Sequence, residues 1–140
     1  DSAALARRMG HEPRVAFLSY STFGNPHGNW LDNIRGAVHI IDGMDVDFEY
    51  EGEMAPDVAL NPRVMANYPF CRLSGPANVL IMPGLQSANL SAKLLRELGG
   101  DSVIGPVLLG MNQPVQVATM ASTASELVTL AVLAAGGMAR

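Results

Sequence analysis

Short apolar runs that alternate with stretches of helical periodicity dominate this chain, and few folds satisfy both patterns at once. Val15-Ala16-Phe17-Leu18-Ser19-Tyr20 is a nearly continuous apolar run, as expected of a strand buried on both faces. The turn-rich Ser21-Thr22-Phe23-Gly24-Asn25-Pro26 follows, and then Trp30, Leu31, Ile34, Val38 and Ile41 at helical spacing up to Asp42-Gly43. Val46, Phe48 and Tyr50 alternate with acidic residues, which predicts a half-exposed strand. Pro56 to Pro69 reads as weakly helical and then irregular. Asn78-Val79-Leu80-Ile81-Met82 predicts a second buried strand, stopped by Pro83-Gly84.

The pattern continues to the C-terminal end. Leu85–Leu98 is the strongest helical segment, with Leu90, Leu94, Leu95 and Leu98 on one face, expected to be core, and Gly99-Gly100 as its stop. Val103–Leu109 and Val115–Ala118 read as strands, the first at an edge or bulge because it contains Gly105-Pro106. Thr123-Ala124-Ser125-Glu126 is a capping box, so a last helix runs from there to Ala135, with Gly136-Gly137 beyond it. Strand and helix alternate throughout, so the expected class is α/β with a mainly parallel sheet and flanking helices, residues 1–140 forming one domain.

Composition narrows the function classes. The 140 residues are 49% apolar and 16% charged, which excludes a disordered chain. Nine basic against thirteen acidic residues argue against a nucleic-acid partner held by general basic charge. No apolar run is long enough to span a bilayer, and polar Asp1–Arg14 does not read as a secretory leader. A lone cysteine, Cys71, fits a structural thiol in a reducing cytoplasm rather than a disulfide framework. Ala3–Met9 resembles a helix end, closed by Gly10 with Pro13 beyond, so the chain is expected to be part of a longer protein.

Four features are candidates for chemistry. The loop Ser21–Asn25 joins a buried strand to a helix, where open α/β sheets receive anions on backbone N–H groups. An ordinary βα turn explains the same residues, and no full phosphate-loop motif is present. Asp47, Glu49, Glu51 and Glu53 stand at alternate positions and are expected to form a solvated strand face that discourages edge pairing. His11, His27 and His39 lack metal-ligand spacing, so no metal site is expected. Ala88, Ser91 and Ala92 leave a small-residue stripe on the Leu85–Leu98 helix, expected to face a partner subunit or domain.

Four segments then carry a resemblance. Leu18-Ser19-Tyr20-Ser21-Thr22-Phe23-Gly24 resembles the first strand and loop of the C-terminal half of phosphotransacetylases. Glu51–Leu60 resembles that family's "DGE…DAAL" segment, Ala77–Asn89 its "ANVL…P.L..(G/A)N" segment, and Ile104–Gly110 with Pro114-Val115 its "IGP(I/V)L.G…KPV" segment. Order and spacing agree from about Arg7 to Ala135. Phe23-Gly24, Glu53-Met54 and Tyr68-Pro69-Phe70-Cys71-Arg72-Leu73 resemble the branch found as the C-terminal domain of hybrid bacterial malic enzymes.

The resemblance implies the C-terminal lobe of the isocitrate/isopropylmalate-dehydrogenase-like fold. It also implies an N-terminal malic-enzyme unit in the same chain, which decarboxylates malate to pyruvate with NADP and a divalent metal, Mg or Mn. Acetyl-CoA is the implied effector, inhibitory in direction, and the implied assembly is a homo-oligomer. Active transacetylases carry a Ser-Arg pair after the "KPV" strand and an acidic residue seven positions after the Ser. Thr119, Met120 and Glu126 stand at those positions here. A methionine cannot make the bidentate contact an arginine offers to phosphate or to developing charge. No catalytic residue is therefore expected in this chain.

A CoA ligand asks only for N–H groups, cations and an apolar slot, and Ser21, Thr22, Gly24, Asn25, Asn89 and Thr119 are the candidate contacts. Arg35, Arg63, Arg72, Lys93 and Arg96 are available cations. Three functions follow: an acetyl-CoA-responsive regulatory and assembly domain of a malic enzyme, a phosphate acetyl- or butyryltransferase that retains catalysis, or an oligomerisation module without ligand.

Overall fold

The first buried run forms the centre of a parallel sheet. In the computed structural model, which describes residues 1–99 and 103–136, β1 (Arg14–Leu18) lies between β2 (Glu49–Met54) and β3 (Val79–Ile81), parallel to both. Central position explains the lack of polar alternation in β1: Val15, Ala16 and Leu18 are all buried. Helix α1 (Ser2–Arg8) precedes the sheet, and α2 (Asp32–Asp42) follows a 3-10 turn at Asn29–Leu31. Ile34 and Val38, one turn apart on α2, are its buried residues. Two short helices, α3 (Pro56–Leu60) and α4 (Pro62–Met65), each start with a proline at the first helical position.

The described chain forms two compact units, Ser2–Ser91 and the residues from Ala92 on together with Asp1. In the first unit, Ala16, Leu18, Met54, Val58, Ala59, Met65, Leu73 and Ala77 form one core. Gly52 is required where β2 meets β1, since a Cβ there would lie 2.7 Å from the Phe17 Cβ and 3.0 Å from the Phe17 carbonyl oxygen. Cys71 packs against this core, and burial pushes its thiol pKa up, in keeping with a structural role.

Three expectations are corrected here. The strand expected from Val46 begins only at Glu49, and its register with β1 shifts between Phe17 and Leu18: Phe17 faces Gly52, but Leu18 faces Met54. Glu53 is the residue skipped by that bulge. The expected solvated row of carboxylates is therefore broken. Asp47 is exposed, but Glu51 and Glu53 are buried, each held by an arginine.

Secondly, Val103–Leu109 and Val115–Ala118 are not strands. Pro106 has no N–H to give a ladder, and Gly105 sits at φ +130°. The two segments are instead joined by one side chain: the Leu108 N–H donates to Gln116 Oε1 (2.9 Å) and Gln116 Nε2 donates to the Leu108 carbonyl (3.2 Å). Thirdly, α5 (Leu85–Leu98) has the expected bounds, but its leucines are not core. Leu85, Leu90, Leu94, Leu95 and Leu98 are 58–81% exposed, whereas Ala88 and Ser91 are half-buried and Ala92 is exposed.

The last helix, α6 (Ala124–Gly136), opens on the expected capping box. Thr123 N–H donates to Glu126 Oε2 (2.7 Å), and Glu126 N–H donates to Thr123 Oγ1 (3.2 Å). Of the expected helix stops, Gly100 and Gly137 lie outside the described residues.

Candidate functional site

In the first unit the loop after β1 closes as a tight turn. Thr22 N–H donates to the Asn25 carbonyl (2.9 Å) and Asn25 N–H to the Thr22 carbonyl (3.1 Å). Phe23 at φ +47° and Gly24 at φ +96° are the two central residues, the signs of a type I′ turn. Gly24 suits that backbone, whereas Phe23 is rare there. The Phe23 ring is held against Phe70 (centroids 4.9 Å apart) and Tyr68 (5.3 Å).

The turn directs its donors inward, onto Glu53. Ser21, fully buried, donates its hydroxyl to Glu53 Oε1 (2.8 Å), and Gly24 N–H donates to the same oxygen (3.0 Å). Arg35, on α2, donates Nη2 to Oε1 (2.8 Å) and Nε to Oε2 (2.7 Å). The hydrogen-bonded Arg35 guanidinium is the main cause holding the Glu53 carboxyl below the usual carboxylate range, with Ser21 and Gly24 adding to it. Thr22 Oγ1 accepts from the Ala55 N–H (2.9 Å), so its hydroxyl fastens the loop to the end of β2. Of the loop candidates, Ser21, Thr22 and Gly24 thus make contacts inside the protein, and Asn25 is exposed. Asn89 is exposed on α5.

A second buried carboxylate lies further back along β2. Glu51 accepts from Arg72 three times: Nη2 to Oε1 (2.9 Å), Nε to Oε2 (3.2 Å) and the backbone N–H to Oε2 (2.9 Å). Arg72 Nη1 also donates to Asp42 (2.7 Å), and its guanidinium lies 4.6 Å from the Tyr50 ring centre. Of the five cations open to a ligand by sequence, Arg35 and Arg72 are therefore committed to internal carboxylates.

In the second unit, Thr119, Ser122 and Glu126 line one small pocket with Arg96, Ile104, Gly105 and Leu130. Thr119 N–H donates to Ser122 Oγ (3.0 Å), and the two hydroxyls are 3.1 Å apart. Arg96 Nη2 donates to the Gly105 carbonyl (3.1 Å). The N–H of Thr123 holds the Glu126 carboxyl below its ordinary pKa, helped by the Thr123 hydroxyl and the Arg96 charge. Two of the three positions taken from the resemblance, Thr119 and Glu126, thus share a pocket, whereas Met120 is fully exposed. Ser122 was not singled out by sequence, although it closes the turn after Thr119, its N–H donating to the Thr119 carbonyl (3.1 Å), and carries the same donor chemistry.

Residues 1–135 match the family model described as phosphate acetyl/butaryl transferase. The chain belongs to this phosphate acetyl/butaryl transferase family. Its fold is that of solved phosphotransacetylases: the enzyme from Streptococcus pyogenes superimposes with a TM-score of 0.90 at 33% identity, over 98% of this chain and 42% of that one. The EutD phosphotransacetylase from Staphylococcus aureus gives 0.88 at 30% identity, over 97% and 43%. An NADP-dependent malic enzyme of Rhizobium meliloti is 58% identical over 135 residues, which is 96% of this chain but only 18% of that protein. A phosphate acetyltransferase of Bacillus subtilis is 32% identical over 136 residues, 96% of this chain and 42% of the relative. This member of the family therefore spans less than a fifth of the malic enzyme and about two-fifths of the transferases it resembles.

Proposed function

We propose that this phosphotransacetylase-family chain is the acetyl-CoA-responsive regulatory and assembly domain of an NADP-dependent malic enzyme, and that it is not itself a transferase. The observation that carries the reading is Met120, a fully exposed apolar residue at the position where the resemblance to active transacetylases implies an arginine. Removing a charge-stabilising contact of that kind commonly costs a transferase about 3–4 kcal/mol of barrier. The 58% identity to a malic enzyme, against 32% to a phosphate acetyltransferase, favours the malic-enzyme parent. On this reading NADP and the divalent metal, Mg or Mn, belong to the malic-enzyme unit of that parent, which works in the cytoplasm.

Acetyl-CoA asks the domain for polar contacts rather than for catalysis. The Thr119–Ser122–Glu126–Arg96 pocket is a cavity of only about 10 Å³, far below the ~300–1,000 Å³ of sites that engulf a drug-sized ligand, so on this reading it offers the effector polar contacts at its mouth. In the first unit taken by itself, Asn25 and Asn89 are exposed amides, available to polar groups of a ligand. Self-association through α5, which carries Ala88, Ser91 and Ala92 beside its exposed leucines, supplies the assembly role on this reading.

An effector changes activity only if it binds two states of the protein unequally, and coupling of roughly 1–3 kcal/mol is usual. The test is malate-dependent reduction of NADP by the full-length parent and by a form lacking residues 1–140, with and without acetyl-CoA. Inhibition in the full-length protein that disappears in the truncated form is expected. Equal inhibition of both would place the effector on the catalytic unit. Formation of acetyl-CoA from acetyl phosphate and CoA by the full-length protein, abolished by Thr119→Ala, would favour the transferase reading instead.

A further inference from the structure

We propose that the loop Ser21–Asn25 is an anion-binding nest whose resident ligand is the chain's own Glu53, which closes it to anions from outside. The loop lies past the carboxyl end of β1, the edge at which open α/β sheets receive anionic ligands. A hydroxyl and a backbone N–H of the loop and a guanidinium from α2 converge there, as they would on a phosphate oxygen. All three meet one atom, Glu53 Oε1, at 2.8, 3.0 and 2.8 Å from Ser21, Gly24 and Arg35. Arg35 Nε takes the other oxygen at 2.7 Å, leaving the Glu53 side chain only 2% exposed.

Two backbone features deliver this carboxylate. The shift in register between β1 and β2 makes Glu53 the residue without a partner in the ladder. The Phe23 N–H then donates to the Glu53 carbonyl (2.9 Å), so main chain and side chain of one residue both hold the loop. An external phosphate would have to displace a carboxylate that is attached to the protein and already holds the only cation among these donors. The anionic groups of any effector therefore bind elsewhere in the domain, and the shape of the loop depends on the Glu53 charge. This holds whether or not the effector is acetyl-CoA.

Hydrogen–deuterium exchange of the peptide spanning Ser19–Trp30, measured by mass spectrometry in the intact protein, tests it. In the unaltered protein, inorganic phosphate and acetate are expected to leave exchange of this peptide unchanged. Glu53→Ala removes the carboxylate and leaves a space of about one acetate. Loop amides should exchange about tenfold faster or more, the scale of losing hydrogen bonds to a charged group. Acetate should restore protection saturably, and chloride at equal ionic strength should not. Glu53→Gln keeps the shape without the charge, so its loop should also exchange faster, and acetate should not restore it. The proposal is overturned if phosphate protects the unaltered loop, or if acetate fails to protect Glu53→Ala. Should Glu53→Ala not fold, a Glu53→Gln loop as protected as the unaltered one overturns it equally.

Discussion

Arg72 offers the sharpest test of what holds the first unit together. Its guanidinium covers a Glu51 carboxylate whose side chain is only 6% exposed, while Arg72 itself is 43% exposed. Arg72→Ala removes two side-chain donors from Glu51 and the contact with Asp42. Two donors survive, because the backbone N–H groups of Arg72 and Gly52 also reach the Glu51 oxygens, at 2.9 and 3.0 Å. Stripping one partner from a fully buried pair costs about 3–5 kcal/mol. Water at the half-exposed arginine and the surviving backbone bonds reduce this to roughly 2–3 kcal/mol. In urea, with a slope of about 1.5 kcal/mol per molar, the unfolding midpoint followed by far-ultraviolet circular dichroism should fall by ~1.5 M. Arg72→Lys should recover less than half of this, since an ammonium cannot reproduce the fork across both carboxylate oxygens. Pairing Arg72→Ala with Glu51→Gln should cost clearly less than the two changes summed, because the neutral amide no longer needs the cation. A midpoint shift below ~0.3 M for Arg72→Ala, or additive effects in the double variant, would refute the reasoning.

Gly52→Ala should destabilise by about 1–3 kcal/mol in the same assay, because the new methyl meets Phe17 on the adjacent strand. Acid should weaken the fold in a defined window. The folded Glu53 pKa is depressed, so its contribution is present above the unfolded value near 4.3 and is lost as pH falls through the folded value. Urea midpoints of the unaltered protein and Glu53→Gln should therefore differ at pH 7 and converge only as pH falls below the unfolded value and through the depressed folded one. Leu94→Glu combined with Leu98→Glu should lower the oligomeric state seen by sedimentation. An unchanged sedimentation coefficient would move the interface away from the α5 leucines.

The elements with strong local signals were legible in sequence, and the reasons are local. α5 and α6 have nearly the bounds that periodicity and the Thr123–Glu126 box predict, because a cap is a contact between neighbours in the chain. β1 and β3 were legible as strands because continuous apolar runs of that length between turn residues fit a sheet, but β3, at the edge of the three described strands, is half-buried rather than buried as expected. The errors fall where non-local geometry decides. No pattern of residue types shows that the ladder skips Glu53, and that one skip places a carboxylate in the loop rather than in solvent. Val103–Leu109 has strand composition, yet the donor missing at Pro106 and the backbone at Gly105 leave it held by the side chains of Gln116 and Arg96 rather than by a ladder. The α5 leucines have core periodicity, but periodicity identifies a face without naming what covers it.

The candidate site was legible to an unequal degree in its two parts, and the difference has one cause. At Thr119, Met120 and Glu126 the informative signal was the identity of side chains at matched positions, which needs no coordinates to read. The pocket then adds Ser122 and Arg96, brought in by the turn before α6 and by α5 respectively. At Ser21–Asn25 the residue types correctly indicated donors suited to an anion, but identity alone could not say which anion. A hydroxyl and N–H groups after a parallel strand attract a ligand phosphate and a neighbouring glutamate by the same electrostatics. The glutamate prevails because it is attached: its effective concentration beside the loop does not depend on anything in solution, and folding has already fixed its main chain through Phe23. The same sequence signature can therefore mark a binding loop in one protein and a self-satisfied loop in another. The deciding quantity is whether a carboxylate of the chain itself can reach the donors, and here the bulge at the end of β2 makes that possible.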